Sequence, residues 1–447
     1  MRNLLRYPRM IGRFVSLSPI VSTEGTVMKF EELGLAETLL RAVREEGYST
    51  PTKIQIAAIP VILEGRDVLG CAQTGTGKTA AFALPTLQRL SRSASQNGGR
   101  RKIRTLVLAP TRELVIQIGE SFHAYGRFTG LRRTVVYGGV GQNPQVRALQ
   151  AGVDVLIATP GRLMDLMQQG FIDLSHVEIL ILDEGDRMLD MGFIHDLRRI
   201  VAKVPTKRQT LLFSATIPPT IRQLADQWLS RPVDIQVHSV TPTVDKIRQS
   251  VVFVDQANKI RMLTHWLQNT DWTRTLVFTR TKHRADKVAS LLKKAGIEAD
   301  AFHADKSQSA RQRTLARFKS PAPAVLVATD IAARGLDIDM VSHVINFDLP
   351  VDAENYVHRI GRTGRAGADG VALSFCDVSE REVLQTIQRL TKRALAVEAP
   401  PKGLPAASVP APQLAAKSKS GSAPRSFSRA GKPKWQGKQR RAVYAGK

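Results

Sequence analysis

The sequence predicts an α/β protein of two tandem parallel-sheet domains with a cleft between them, followed by a basic tail. Three observations carry that expectation. Short aliphatic runs alternate with helical patterns in two successive series, separated by a polar, proline-interrupted segment. A glycine-rich loop stands between the first strand-like run and an apolar helix. After Glu398 no acidic residue occurs.

At 447 residues the chain exceeds one ordinary core, since a domain takes about 150 residues. Sixty-five Lys and Arg against 39 Asp and Glu give a net charge of +26, which favours a polyanionic partner, nucleic acid or a membrane surface. No apolar run approaches the roughly 18 residues of a membrane span. Cys71 and Cys376 are far apart and lack any CxxC or Cys/His cluster, so neither a disulfide framework nor a zinc site is suggested. A reducing cytoplasm is the expected compartment.

Residues 1–27 carry Arg2, Arg6, Arg9 and Arg13 with no acid before Glu24. That is the composition of a transit peptide, and equally of a disordered basic arm or an over-extended reading frame before Met28. Residues 28–237 form the expected first domain, with strands at Asp67–Cys71, Thr105–Ala109, Val155–Ala158, Ile179–Leu182 and Thr210–Phe213. Uninterrupted aliphatic runs of this length read as parallel strands covered on both faces. Residues 238–248 are the expected linker. Residues 249–395 form the second domain, with strands at Thr275–Phe278, Ala324–Val327, His343–Phe347 and Val371–Phe375. Residues 396–447 mix Pro, Ala, Ser and Gly with cations, too little apolar surface to fold. Phe427, Trp435 and Tyr444 interleave with those cations, so bases can stack while phosphates pair, and the tail is expected to contact nucleic acid.

Ala72-Gln73-Thr74-Gly75-Thr76-Gly77-Lys78-Thr79 has strand, loop and helix in the order a phosphate cradle needs. Glycines let backbone N–H groups close on phosphate oxygens, Lys78 reaches the β and γ phosphates, and the Thr79 hydroxyl faces Mg²⁺. Asp183 ends an aliphatic strand, where a carboxylate can hold a hydrated Mg²⁺ ion, and Glu184 beside it is placed to orient or deprotonate water.

With the segments around it, Asp183-Glu184-Gly185-Asp186 resembles the DEAD-box RNA helicases of superfamily two, over about Phe30 to Leu395. The resemblance implies two RecA-like domains, ATP as the nucleotide and RNA as the partner. Phe30 and the segment Gly47–Gln55 resemble the motif in which Gln55 reads adenine and Phe30 stacks on it. Pro110, Thr111, Arg112, Gly139, Thr159, Gly161 and Arg162 match the family's first-domain RNA motifs, and Arg280, Gln308, Arg311 and Thr329 its second-domain ones. Ser214 and Thr216 match the motif that couples hydrolysis to strand separation. By the same carry-over Arg362 and Arg365 reach the γ phosphate, Asp337 binds a ribose hydroxyl, and His358 links to Asp186 or Ser214.

Two positions depart from the family. Gly185 replaces the alanine of the motif's name, which adds backbone freedom at a cost on the order of 1 kcal/mol. Ala304, in His303-Ala-Asp305, replaces the usual glycine and puts that loop's RNA contact in doubt. The opening Met28–Leu35 looks most like the bacterial RhlE-type branch, with ribosome assembly or RNA turnover as its setting, ribosomal precursors or RNA-degradation machinery as partners, and a monomeric state. Two alternatives remain open: an ATP-gated RNA clamp or annealing chaperone without productive unwinding, and a DNA translocase.

Overall fold

Strands with aliphatic side chains on both faces are stable only between two layers of helices. In the computed structural model, which describes residues 28–73, 75–92, 101–237, 247–333, 341–364 and 369–401, such runs are the middle strands of two seven-stranded sheets. The first contains β1 (Val68–Cys71), β2 (Thr105–Leu108), β3 (Arg133–Val136), β4 (Val155–Ala158), β5 (Ile179–Leu182), β6 (Gln209–Ser214) and β7 (Val233–Gln236). The second contains β8 (Ile247–Phe253), β9 (Arg274–Phe278), β10 (Ala299–Phe302), β11 (Ala324–Ala328), β12 (His343–Asn346), β13 (Gly370–Cys376) and β14 (Ala396–Val397). Every pairing among them is parallel.

The strand orders are β3-β4-β2-β5-β6-β1-β7 and β10-β11-β9-β12-β13-β8-β14. Subtracting seven from each label of the second order gives the first, so the two lobes share one topology, the tandem arrangement expected from the sequence. In the first lobe Val107, Ile157, Ile181 and Leu211 pack on one side of the sheet, with α2 (Lys53–Leu63), α3 (Lys78–Arg92) and α4 (Arg112–Gly126). Their neighbours Leu106, Leu156, Leu180 and Leu212 pack on the other, with α5 (Asn143–Gln150), α6 (Pro160–Gln168), α8 (Ile194–Val201) and α9 (Pro219–Trp228). The short α7 (Gly185–Asp190) follows β5. Alternating side chains of one strand thus feed two separate cores.

Two boundaries differ from the sequence reading. β8 begins at Ile247, inside the segment expected to be linker, and Ala396–Val397 pairs with Ser250 and Val251, so the first residues assigned to the tail add a strand to the second sheet. The rest of the tail from residue 402, the N-terminal 27 residues and linker residues 238–246 lie outside the described residues.

Candidate functional site

Parallel strands deliver the residues that follow them to one edge of a sheet, and in open α/β folds ligands gather at those carboxyl ends. The loop after β1 turns into α3 through Gly75 and Gly77, at φ 83° and 88°, a left-handed backbone that glycine adopts without steric cost. A Cβ on Gly77 would stand 2.5 Å from Gln55 Nε2 and 3.1 Å from Thr52 Oγ1. Gln55 Nε2 donates to the Gly77 carbonyl at 3.1 Å, and its Oε1 accepts from Thr52 N at 2.8 Å as the capping box of α2. Lys78 is buried and donates to the Ala72 carbonyl at 2.8 Å, and Thr76 Oγ1 donates to the Gln73 carbonyl at 2.7 Å. Thr79 is half-buried on the first turn of α3. Phe30 is 3% exposed in the core beneath α2, so little of its ring is left to stack on a base.

Asp183, 3% exposed, follows β5, and its Oδ1 accepts from Glu184 N at 3.0 Å. Burial pushes its carboxyl up to about 6, an effect that the Lys78 ammonium opposes and the Glu184 charge reinforces. Glu184 has φ 53° and ψ 54°, an uncommon conformation for a residue with a side chain, and caps α7. Its Oε2 pairs with Arg187 Nη1 at 2.9 Å, both side chains being buried. Asp186 N donates to Ser214 Oγ at 3.1 Å, and Thr216 donates to Asp186 Oδ2 from both N and Oγ1 at 2.9 Å. Asp186, Ser214 and Thr216 therefore form one hydrogen-bonded unit joining α7 to the end of β6. His358 is exposed on the helix Ala353–Ile360.

Hard oxygen donors suit Mg²⁺, which keeps several waters and needs only one or two protein ligands. Asp183, buried and destabilised by its own burial, with the Thr79 hydroxyl on the neighbouring element, fits that pattern. Among the described residues there is no cluster of three or more His, Cys, Asp or Glu of the kind that would cage a metal.

Further along the same edge, Pro110 is buried and Thr111 caps α4, its Oγ1 accepting from Leu114 N at 3.4 Å. Arg112 lies against Gly139, at φ 79°, where any Cβ would overlap the guanidinium. Thr159 and Gly161 stand at the start of α6, and Arg162 donates to the Val140 carbonyl at 3.3 and 3.2 Å. Arg112, Gly139, Thr159, Gly161 and Arg162 are thus brought to adjoining loops after β2, β3 and β4.

In the second lobe Arg280 follows β9, exposed, with its N donating to Asp348 Oδ2 and its Nη2 to Glu380 Oε1, each at 2.9 Å. Thr329 follows β11, and Arg362 is buried just beyond the helix Ala353–Ile360. Gln308 Nε2 and Arg311 Nη2 donate to the two carboxylate oxygens of Glu113, on the first lobe, at 3.0 and 2.9 Å. Thr74, Asp337 and Arg365 lie outside the described residues.

The sequence reading assigned no role to three residues that matter here. Glu113 lies inside the Pro110–Leu114 motif, Arg187 follows the acidic motif, and Arg359 sits beside His358. Arg359 is buried, grips both oxygens of Asp330 at 2.6 and 2.7 Å and lies over Phe278. Arginine at Arg187 and Arg359 signals pairing with a carboxylate, but which carboxylate is visible only after folding.

A phosphate loop, a paired acidic motif and a second lobe of the same topology define a two-lobed nucleoside triphosphatase. Residues 52–224 match the DEAD/DEAH box helicase family, and residues 258–367 match the helicase conserved C-terminal domain. The DEAD-box ATP-dependent RNA helicase CshA of Geobacillus kaustophilus is 44% identical over 372 residues, 83% of this chain and 78% of that one. Among solved structures, S. cerevisiae Dbp5 bound to RNA and ADP BeF3 is 33% identical with a TM-score of 0.74, covering 83% of this chain and 95% of that one. Dbp5 with Nup159, Gle1, IP6 and ADP is 32% identical with a TM-score of 0.58, covering 82% and 96%. The chain belongs to the DEAD-box ATP-dependent RNA helicases.

Proposed function

We propose that this chain is an RNA-dependent ATPase that closes its lobes, taken as residues 28–237 and 249–395, on single-stranded RNA and opens short duplexes or remodels RNA–protein contacts locally. The observation that carries the reading is the convergence of Lys78, Asp183 and Glu184 at the carboxyl edge of the first sheet, with Asp183 buried and destabilised by that burial. The cradle residues Thr74, Gly75, Thr76 and Gly77 hold phosphates, and Gln55 selects adenine. When bound, Mg²⁺, held through Asp183 and Thr79, supplies neutralisation of phosphate charge. Glu184 orients the attacking water and takes its proton. Arg362 and Arg365 stabilise the γ phosphate, and Asp337 the ribose.

Pro110, Thr111, Arg112, Gly139, Thr159, Gly161, Arg162, Arg280 and Thr329 grip the RNA backbone, which implies little sequence preference. The unit of Asp186, Ser214 and Thr216 reports the state of the acidic motif to β6, so hydrolysis and grip change together. The tail adds sequence-independent affinity. A cytoplasmic monomer in ribosome assembly or RNA turnover suits this chemistry, and no helix among the described residues is long and apolar enough to cross a membrane.

The test is ATP hydrolysis by the full chain with no nucleic acid, single-stranded RNA or single-stranded DNA, beside Lys78→Ala and Glu184→Gln. RNA-selective stimulation that both substitutions abolish is expected, and equal stimulation by DNA would overturn the RNA reading. Duplex release with ATP but not with a non-hydrolysable analogue separates unwinding from a clamp.

A further inference from the structure

Helix α6 starts at the carboxyl edge of the first sheet, with Thr159 as its N-cap and Gly161 in its first turn, and the loop after β3 lies alongside it. Near the start of the helix, Arg162 donates to the Val140 carbonyl at 3.3 and 3.2 Å. At its end, Gln142 Nε2 donates to Gln169 Oε1 at 2.9 Å, and Gln169 Nε2 returns a bond to Gln142 Oε1 at 3.3 Å. This amide pair keeps the far end of α6 beside the same loop that holds Gly139. Val140 is 36% exposed, and Phe171, just past the helix, is 38% exposed. The turn that ends α6 accounts for an apolar residue at Phe171 but not for an exposed ring. Gly170, at φ 78°, donates from its N to the Met167 carbonyl at 3.1 Å, and Phe171 N to the Leu166 carbonyl at 3.0 Å. A helix closed in this way packs an apolar side chain on its last turn, which leucine would supply. Among the described residues the exposed aromatics are Phe171 and Tyr48, and the Tyr48 hydroxyl lies 3.4 Å from that of Tyr125.

We propose that Phe171, approached along Val140 and Gln142, is a base-stacking subsite for single-stranded RNA. It would receive the base of a nucleotide just beyond those whose backbone Arg112, Gly139 and Arg162 grip. Charge favours a base over a phosphate here. Residues 138–142 and 162–171 contain one cation and one acid, Arg162 and Asp165, which pair at 3.4 Å, so the strip has no net charge to attract phosphate. An exposed ring offers the π face on which any unpaired base can stack, and RNA read as a single strand is held in this manner. Gln142 gives one N–H to Gln169 and has a second for a base carbonyl or ring nitrogen. Arg162 and Phe171 are nine residues apart, about 13 Å along a helix, a span of a few nucleotides. Because stacking strengthens with the size of the base, the subsite adds a purine preference at one position to a grip that otherwise reads only the backbone.

This inference rests on the RNA-binding reading, and the experiment separates the two. Affinity of the full chain for oligo(A) and oligo(U) of about 12 nucleotides is measured with a saturating non-hydrolysable ATP analogue, for the wild type, Phe171→Leu and Phe171→Tyr. Phe171→Leu keeps the apolar contact of the helix end and removes the ring, so it should bind oligo(A) about tenfold more weakly and oligo(U) less affected. Phe171→Tyr keeps the ring and should stay within about twofold of wild type. The slope of log affinity against log salt should not change, since no phosphate contact is lost. A 2-aminopurine moved along oligo(A) gives a direct reading: one position should be quenched on binding wild type and Phe171→Tyr, and brighter on Phe171→Leu. Wild-type affinity and quenching in Phe171→Leu overturn the subsite and leave the backbone grip standing. A loss of affinity with a shallower salt slope also overturns it, because phosphates would then have been released. A wild type that does not bind either oligonucleotide overturns the RNA reading and the subsite with it.

Discussion

Gly185→Ala restores the residue that names the family, and the structure gives the substitution a cost that the sequence does not. Gly185 begins α7 and is buried, and a Cβ there would stand 2.8 Å from Leu212 Cδ1 and 3.5 Å from Ile221 Cδ1. Leu212, on β6 and almost fully buried, occupies the space that a methyl needs. Overpacking of this kind costs about 1–3 kcal/mol, and replacing a helical glycine returns about 0.5–1 kcal/mol. The net expectation is a loss of roughly 1 kcal/mol, kept small because the obstructing atom is the far end of a side chain that can turn. Leu212→Val, which opens the space, costs about 1 kcal/mol alone. The double substitution should be more stable than the sum of the singles by about 1 kcal/mol. Urea titration of the full chain, read through hydrogen exchange of β6 and α7 amides, reports this lobe separately. RNA-stimulated hydrolysis by Gly185→Ala should stay within a few-fold of wild type. Additive singles, or a Gly185→Ala that stabilises the chain while Leu212 is present, would refute the packing argument.

Arg187→Ala should lower turnover about tenfold while the ATP KM changes less than twofold, because Arg187 fixes the Glu184 carboxylate; the same loss in a Glu184→Gln background would show that the pair is not the route. Lys259 is fully buried, 2.6 Å from Glu380, 3.5 Å from Asp377 and 3.6 Å from Asp348. Lys259→Met strands those acids and should destabilise the second lobe by about 3–5 kcal/mol, read by the exchange of β9 and β12 amides, with little change if Arg280 and Arg284 suffice. Burial beside Trp266, helped by the Arg248 charge, pulls His343 down to about 4. A base held neutral in the fold contributes stability that is complete above about 6.5 and lost as the pH falls toward 4. The loss should be on the order of 2 kcal/mol, and His343→Gln should flatten the stability profile across that window; an unchanged profile would remove His343 as its source.

What the sequence made legible follows from burial. The central strands β2, β4 and β5 are buried at every position and read as uninterrupted aliphatic runs. The outer strands β3, β7 and β10 are partly solvated, and their Arg, Asp and Gln residues hide the pattern, while β14 is only two exposed residues long. The internal β8 escaped notice for the same reason, since Arg248 and Gln249 interrupt its apolar run. At the site, residue type and order are enough to single out the cradle glycines, Lys78, Asp183 and Glu184 as candidates. Partnerships between distant segments are not legible in that way. Nothing local to Glu113 says that its carboxylate meets Arg311, 198 positions away, because that pairing belongs to the apposition of two sheets.

The same principle explains why the polar groups of the site already have protein partners. A buried donor or acceptor left unpaired costs about 1–3 kcal/mol, and here Lys78 is paired with Ala72, Gln55 with Gly77, and Glu184 with Arg187. A phosphate that takes the Lys78 ammonium replaces a bond rather than making a first one, so what it gains is only the difference between a charge-assisted contact and a carbonyl contact. Binding at this loop is therefore an exchange whose net gain is smaller than the contacts suggest. Under such an exchange, the additional free energy that makes hydrolysis depend on RNA has to come from contacts formed when the lobes meet.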